Sequence, residues 1–151
     1  MKRFQFRLQR LLDLRSAREE SLQAEFAACA RRCHTESERL DGLLEQRRYA
    51  ILDLMGMQTT GAEGINVQEC AAYIAALEHQ IGRQRAILAE AQAVLDTRRA
   101  ALLEASRDRK VLDRLRDVRR DRHKAQVGRA EQAAENEIAV IRFTRALNPS
   151  L

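Results

Sequence analysis

Apolar side chains recur along the first part of the chain at alternating steps of four and three residues. From Leu8 to Met57 this spacing passes through fifteen positions, of which eleven are apolar. These positions, the first seam, are residues 8, 12, 15, 19, 22, 26, 29, 33, 36, 40, 43, 47, 50, 54 and 57. The exceptions are Arg15, Glu19, Glu36 and Arg47. Because such steps keep side chains on one helical face, the pattern predicts a long helix that needs a partner.

A second seam of the same spacing follows a glycine-containing break. It comprises residues 67, 70, 74, 77, 81, 84, 88, 91, 95, 98, 102, 105, 109 and 112, and eleven of the fourteen are apolar. The exceptions are Gln84, Arg98 and Arg109. Two seams of similar density on either side of one short link favour antiparallel packing. We therefore predict an all-α fold, a long antiparallel two-helix coiled-coil hairpin with a longer second helix.

The glycines and the proline set the expected helix ends. Three of the six glycines lie between residues 56 and 64, and the one proline is Pro149. Because glycine and proline interrupt helices, we expect helix 1 over about 4–56, a loop over about 57–65 and helix 2 over about 67–147. The whole chain, 1–151, is then a single coiled-coil domain. We expect Asn66, with Glu69 three residues on, to cap the second helix.

The arms of this hairpin are predicted to be unequal. Folding about residue 61 places Phe4 opposite approximately residue 118, which leaves the last stretch of about 30 residues uncovered. Between residues 113 and 137 the only large aliphatic side chains are Leu115, Val118 and Val127. We expect that segment to form no core of its own, and three outcomes stay open: it remains helical through its alanine content and ion pairs, frays in isolation, or becomes ordered against a partner.

Composition narrows the functional classes. Charged residues make up 32% of the chain and aromatic residues 4%, which is typical of long helices rather than of a globule. No segment is apolar enough for a membrane span or a signal peptide, so a cytoplasmic location is expected. No nucleophile stands beside a base and an orienting acid, and the glycine stretch lacks the lysine of a phosphate loop. We expect no enzymatic activity and no cofactor.

A strongly basic segment lies in the second helix. Residues 107 to 129 contain ten lysines or arginines and four aspartates, which leaves +6, more than the +5 of the whole chain. Three readings remain: a nucleic-acid-binding helix, a solvated face and a surface that docks on an acidic protein. The aspartates argue against nucleic acid because they repeat an i, i+3 pairing with cations, in Asp113–Arg116, Asp117–Arg120 and Asp121–Lys124.

Two further features have alternative readings. Cys29, Cys33 and His34 suggest a metal site, but both cysteines lie on the first seam and no second ligand pair follows, so a core role is favoured. The N-terminal stretch is predicted to be a basic amphipathic helix, which can make peripheral contact with an anionic membrane, although the hairpin should use half of its apolar face. Its apolar and basic residues are Phe4, Leu8, Leu11, Leu12, Arg3, Arg7, Arg10 and Arg15. We expect His123 and His79 to be solvated.

Four segments carry a resemblance to a known family. They are the opening Arg-Phe-Gln-Phe-Arg-Leu-Gln-Arg-Leu-Leu-Asp-Leu-Arg of residues 3–15, the Val-Gln-Glu of 67–69, the Arg-Lys-Val-Leu of 109–112, and residues 131–142. With them the chain resembles the FliJ family, the small coiled-coil component of the flagellar type III export apparatus.

The resemblance implies partners and contact residues. FliJ proteins are hairpins similar to the central stalk of rotary ATPases, so the end with both termini is expected to contact the export ATPase, FliI. Another surface is expected to contact the export gate protein, FlhA, and export chaperones. The gate pattern of an aromatic followed four residues later by leucine falls on Tyr73 and Leu77. The ATPase contact maps onto Phe4, Leu8, Leu11, Arg109, Lys110 and Arg114.

The function implied is a non-enzymatic stalk that couples the export ATPase to the export gate and chaperones during flagellum assembly. Its expected place is the cytoplasmic face of the cell membrane at the flagellar basal body. Two alternatives stay open: the equivalent stalk of a virulence type III secretion system, and a basic coiled-coil protein that binds nucleic acid.

Overall fold

The computed structural model describes residues 3–61 and 63–147. It contains two α-helices, α1 over Gln9–Thr60 and α2 over Gly64–Leu147, and no strand among the residues described. The predicted all-α class with a longer second helix is confirmed. Pro149 lies outside the described residues.

The chain divides into two compact units. The turn unit is Glu19–Glu104, and the end unit combines Met1–Arg18 with Ala105–Leu151. Within the turn unit the thiol of Cys70 donates to the carbonyl oxygen of Ala50 at 3.5 Å, and Arg98 pairs with Glu25 at 2.9 Å. The α2 residue that is later in the chain, Arg98, contacts the α1 residue that is earlier, Glu25. The helices of this unit are therefore antiparallel.

Burial follows the two seams. All fifteen positions of the first seam are buried or half-buried, and so are thirteen of the fourteen in the second, Arg98 being the exception. In the turn unit Cys33, Ala91 and Leu95 form a buried cluster. Phe26, Cys29 and Ala30 pack against that cluster. The predicted seams are confirmed, and so is the core role predicted for Cys29 and Cys33.

The position of Phe4 in the end unit differs from the prediction. The rings of Phe4 and His123 lie 5.6 Å apart between centroids, whereas the sequence placed Phe4 near residue 118. α1 begins at Gln9 rather than near Phe4, and residues 3–6 are not helical. Non-helical chain covers up to about 3.3 Å per residue against about 1.5 Å in a helix, so Phe4 reaches further along α2.

The turn is shorter than predicted. α1 continues through Gly56 to Thr60, and the hydroxyl of Thr60 donates to the Gly56 carbonyl oxygen at 3.0 Å. Gly61 has a φ of 73°, the left-handed conformation that commonly ends helices and that glycine adopts without strain. One glycine therefore makes the reversal, and the expected break at Gly56 is wrong because a lone glycine is tolerated in a helix.

The predicted cap at the start of α2 is wrong as well. α2 begins at Gly64, and the carbonyl oxygen of Glu63 accepts from the backbone N–H groups of Asn66 at 3.1 Å and Val67 at 3.4 Å. Asn66 therefore lies inside the first turn, and its side chain makes no hydrogen bond within the described residues. Glu63 occupies the capping position because the reversal at Gly61 finishes sooner than the glycine spacing suggested.

The last part of α2 is uncovered. Every residue from 131 to 147 is exposed, including the large apolar side chains of Ile138, Ile141 and Phe143. This agrees with the expectation that the end of the second helix has no core of its own.

Candidate partner-binding surfaces

Two polar residues that interrupt the seams meet in the turn unit. The amide nitrogen of Gln84 donates to the Glu36 carboxylate at 2.6 Å and to the Glu36 main-chain oxygen at 3.1 Å. Both residues are buried. The hydrogen bond from Gln84 lowers the pKa of Glu36 against the opposing effect of burial, and the nearby Arg39 guanidinium lowers it further. A satisfied polar pair inside an apolar seam fixes the register of the two helices.

The predicted ATPase-contact residues all lie in the end unit. Phe4 and Leu8 are half-buried, while Leu11 is exposed. Lys110 and Arg114 are exposed. They follow Asp108, which pairs with Arg15 of α1 at 2.9 Å, so the basic stretch lies beside the first turns of α1. Arg109 is half-buried and pairs with Asp113.

Ion pairs neutralise part of the basic segment. Arg116 pairs with Asp113 at 3.1 Å and Arg120 with Asp117 at 3.3 Å, as the i, i+3 spacing predicts. The third predicted pair is absent from the described residues, where Asp121 contacts Arg120 rather than Lys124. Seven cations between 107 and 129 have no ion pair within the part of the chain described: Arg107, Lys110, Arg114, Arg119, Arg122, Lys124 and Arg129.

The end unit also contains a groove rich in arginine. It measures about 820 Å³, and its arginines come from both chain segments of the unit. The lining residues are Phe4, Gln5, Phe6, Arg7, Gln9, Arg10, Arg116 and Arg120. Sequence reasoning assigned Arg7 and Arg10 to a membrane-facing helix and did not place them with Arg116 and Arg120. No feature of the sequence indicates that residues 3–6 are non-helical, and this extended opening carries Phe4 about five residues further along α2 than expected.

Of the two residues predicted to contact the gate, one is exposed and the other is buried. Tyr73 is 51% exposed, whereas Leu77 is 2% exposed and belongs to the core of the turn unit. The side chain available to a partner is therefore that of Tyr73. A contact with the gate at these positions remains a prediction.

Tyr73 borders a second groove, which we call the turn groove. Its volume is about 280 Å³, and it is lined by Gln46, Tyr49, Ala50, Asp53, Met57, Cys70 and Tyr73. Sequence reasoning missed its α1 side because Tyr49 and Asp53 lie off the first seam. The spacing of Tyr49, Asp53 and Met57, four residues apart, was the available signal.

The remaining histidines and cysteines form no metal centre among the described residues. His34 lies 3.3 Å from the Glu38 carboxylate, and Cys33 is in the core. His123 packs on Phe4 and is half-buried, so the expectation of a solvated side chain is wrong there. The helices described include none with an apolar stretch sufficient to cross a membrane.

Comparison with models of protein families gives a match that spans nearly the whole chain. A family model described as the flagellar FliJ protein matches residues 4–148, nearly the whole chain. The chain matches no curated protein and no solved structure.

Proposed function

Because the chain belongs to the FliJ family of flagellar proteins, we propose that it couples the export ATPase, FliI, to the export gate protein, FlhA, and to export chaperones. The family is associated with flagellar export as a structural, non-enzymatic component. In this proposed role the protein acts as a stalk at the cytoplasmic face of the membrane.

The observation that carries the ATPase contact is the arginine-rich groove of the end unit. Arg7 and Arg10 have no ion pair within the described chain, and they face the same groove as Arg116 and Arg120. Guanidinium groups bind carboxylates through paired hydrogen bonds, so the groove suits the acidic loops of a partner. Charge complementarity of this kind raises the association rate and orients the encounter.

A double substitution in this groove tests the ATPase contact. We expect wild-type protein to co-purify with FliI of the same genome and to promote its hexamer formation and ATP hydrolysis. Arg7→Ala with Arg10→Ala should lower the apparent affinity at least tenfold, since charged contacts of this type are worth about 1.5–3 kcal/mol each. Arg83→Ala with Arg85→Ala, two exposed arginines of the turn unit, is the matched control. Absence of co-purification and of any effect on FliI would refute the proposal.

The gate contact is supported by the exposure of Tyr73, an amphipathic ring of the kind that anchors protein interfaces. Tyr73→Ala should abolish binding to FlhA while helicity by circular dichroism stays unchanged. Phe143→Ala removes an even more exposed ring from the end unit and should leave FlhA binding intact. Leu77→Ala is unsuitable as a contact test because Leu77 is buried.

Nucleic acid is a second candidate partner, because seven cations between residues 107 and 129 have no ion pair within the part of the chain described. A DNA-binding helix should show affinity for random duplex that falls steeply with salt, with a slope set by several phosphates. No detectable duplex binding at about 0.1 M salt would remove that candidate.

A further inference from the structure

The groove of the end unit is lined by cations and by no carboxylate of the residues described. Its four arginines come in equal number from the two chain segments of the unit: Arg7, Arg10, Arg116 and Arg120. The other lining residues are phenylalanines and glutamines. Asp13 accepts a hydrogen bond from the amide of Gln9 at 2.8 Å but is not part of the lining. A concave surface with charges of one sign concentrates ions of the opposite sign.

Aspartates of α2 offset the charge of two of these arginines. Arg116 pairs through Nη2 with Asp113 at 3.1 Å, and Arg120 pairs through Nη2 with Asp117 at 3.3 Å. Their Nε atoms lie 3.9 Å from Asp117 and Asp121, respectively. Nη1 takes no part in these pairs in either residue. Because a guanidinium group has five N–H donors, both arginines keep donors for a further anion.

The arginines that flank the start of α1 have no such compensation. Arg7 and Arg10 are exposed and make no ion pair within residues 3–61 and 63–147. The Arg119 guanidinium lies 5.9 Å from the centroid of the Phe6 ring, and Phe6 lines the groove. Positive charge therefore remains in excess at the groove after the ion pairs are counted.

The size of the groove and the spread of its cations limit the ligand. Its volume of about 820 Å³ lies within the roughly 300–1,000 Å³ of small-molecule sites. Guanidinium groups match phosphate oxygens through paired hydrogen bonds. One phosphate group meets one or two such groups, whereas the arginines here are carried by two separate chain segments. A ligand that contacts both segments needs several anionic groups in a row.

We infer that the groove binds a polyphosphate anion, a ligand in which several phosphate groups are joined in a chain. Its phosphate groups bridge the arginines of the N-terminal segment, Arg7 and Arg10, and those of α2, Arg116 and Arg120. Phe4 is half-buried and Phe6 is buried, so their rings keep water from one side of the groove. Hydrogen bonds to the phosphate oxygens are stronger where water is excluded.

This inference goes beyond the proposed function, which assigns acidic loops of the export ATPase to the same groove. A polyphosphate anion bound there would compete with those loops. Only that competition rests on the proposed function, because binding of the anion requires no partner protein.

Calorimetric titration of the full chain with inorganic triphosphate tests the site directly. In about 0.1 M salt, where long-range attraction is screened, we expect saturable binding at one site per chain. Orthophosphate and citrate are the matched anions, the first with one phosphate group and the second with three carboxylates. Each should bind at least about tenfold more weakly than triphosphate. Equal affinity for either anion would overturn the inference.

Two double substitutions separate the groove from net charge. Arg7→Ala with Arg10→Ala should weaken triphosphate binding about tenfold or more, because it removes charged hydrogen-bond donors from one side of the groove. Arg142→Ala with Arg145→Ala removes two exposed arginines of the same unit, also three residues apart but outside the lining. It should alter the affinity less than about twofold. Circular dichroism verifies that both variants keep their helices, and equal weakening by the two would overturn the inference.

Further ligands distinguish the possible sources of the phosphate chain. ATP should bind within about threefold of triphosphate, because the arginines recognise phosphate groups. ATP binding without triphosphate binding would overturn the inference, since the base would then be recognised. Binding to vesicles that contain a phosphorylated inositol lipid, without binding of free triphosphate, would overturn it in favour of a membrane.

The two proposals for this groove can fail separately. FliI binding by a chain that does not bind triphosphate would overturn this inference alone. Triphosphate binding by a chain that does not bind FliI would support it and count only against the ATPase contact.

Discussion

Acidic side chains have opposite surroundings in the two units. In the end unit Asp113 and Asp117 pair with arginines of the same helix, so their charge reduces that of a basic surface. In the turn unit Asp53 and Glu69 stand exposed without an ion pair among the described residues. Equal formal charges therefore differ in what they offer a partner, since a paired carboxylate must first lose its arginine.

The units differ in packing as well. The turn unit buries apolar side chains from both helices, among them Cys33 and Ala50 of α1 and Leu77 of α2. The end unit buries Phe6, Leu12 and Ala105 but leaves 131–147 exposed. Stability should therefore be concentrated in the turn unit and in the part of the end unit where α1 covers α2.

Truncation of a core leucine should have the largest effect. Leu77→Ala should lower the free energy of unfolding by about 2–5 kcal/mol, because it removes a buried side chain and leaves a cavity. Ile138→Ala, at an exposed position of α2, should change it by less than about 0.5 kcal/mol. Urea denaturation followed by circular dichroism measures both. Similar decreases in the free energy of unfolding for the two variants would contradict the difference in packing between the two units.

Hydrogen exchange should show the same contrast along one helix. Amides of residues 131–147 should exchange about 100-fold or more faster than those of 81–95, since nothing in the described chain covers the former. Mass spectrometry of peptic fragments resolves the two segments. Comparable protection in both would mean that the exposed segment is held by contacts other than those seen here.

Acid should weaken the turn unit through Glu36. Its pKa is lowered in the folded protein, chiefly by the Gln84 hydrogen bond, so its stabilising contribution is fully present above the pKa of an unfolded glutamate. That contribution is lost as the pH falls through the lower folded pKa.

Thermal unfolding from pH 7 to pH 3 measures the loss. Glu36→Gln keeps the shape and a hydrogen-bonding oxygen but does not titrate, so its melting temperature should fall less over that range. An identical fall in both proteins would show that other carboxylates dominate the acid response.

Interhelical ion pairs should have the smallest effect. Arg15→Ala in the end unit and Arg98→Ala in the turn unit each break a partly exposed pair, which is worth about 0–1 kcal/mol. The difference from wild type should vanish in about 1 M salt, where charges are screened within about 3 Å. A decrease in the free energy of unfolding above about 2 kcal/mol that persists in high salt would show that these ion pairs stabilise the fold more than expected.

The sequence predicted the helices and the seams well because apolar spacing directly records which face is buried. It predicted the turn poorly. Gly56 and Gly61 are the same residue type, but only Gly61 has the positive φ that ends α1, and three-dimensional context makes that choice. The cap assigned to Asn66 failed for the same reason.

The sequence identified the residues of the candidate sites only in part, because it does not show which residues of α1 lie opposite which residues of α2. Tyr73 was identified from a family pattern, and its exposure agrees with a contact role, but Leu77 was already a member of the second seam and is buried. Tyr49 and Asp53 were missed because they lie off the first seam, and their four-residue spacing to Met57 does not show which residues of α2 lie opposite them. Only the pairing of α1 with α2 brings them beside Tyr73.

The hydrogen bonds from Gln84 to the side chain and main chain of Glu36 have a consequence for how the chain can change in length. A deletion in α1 between Glu36 and Gly61 would slide Gln84 onto another residue, unless α2 lost an equal number between Glu63 and Gln84. Loss of a heptad on each side would keep both residues facing each other. Insertions and deletions around the turn of related chains should therefore occur as matched pairs, so that the two arms lengthen or shorten together.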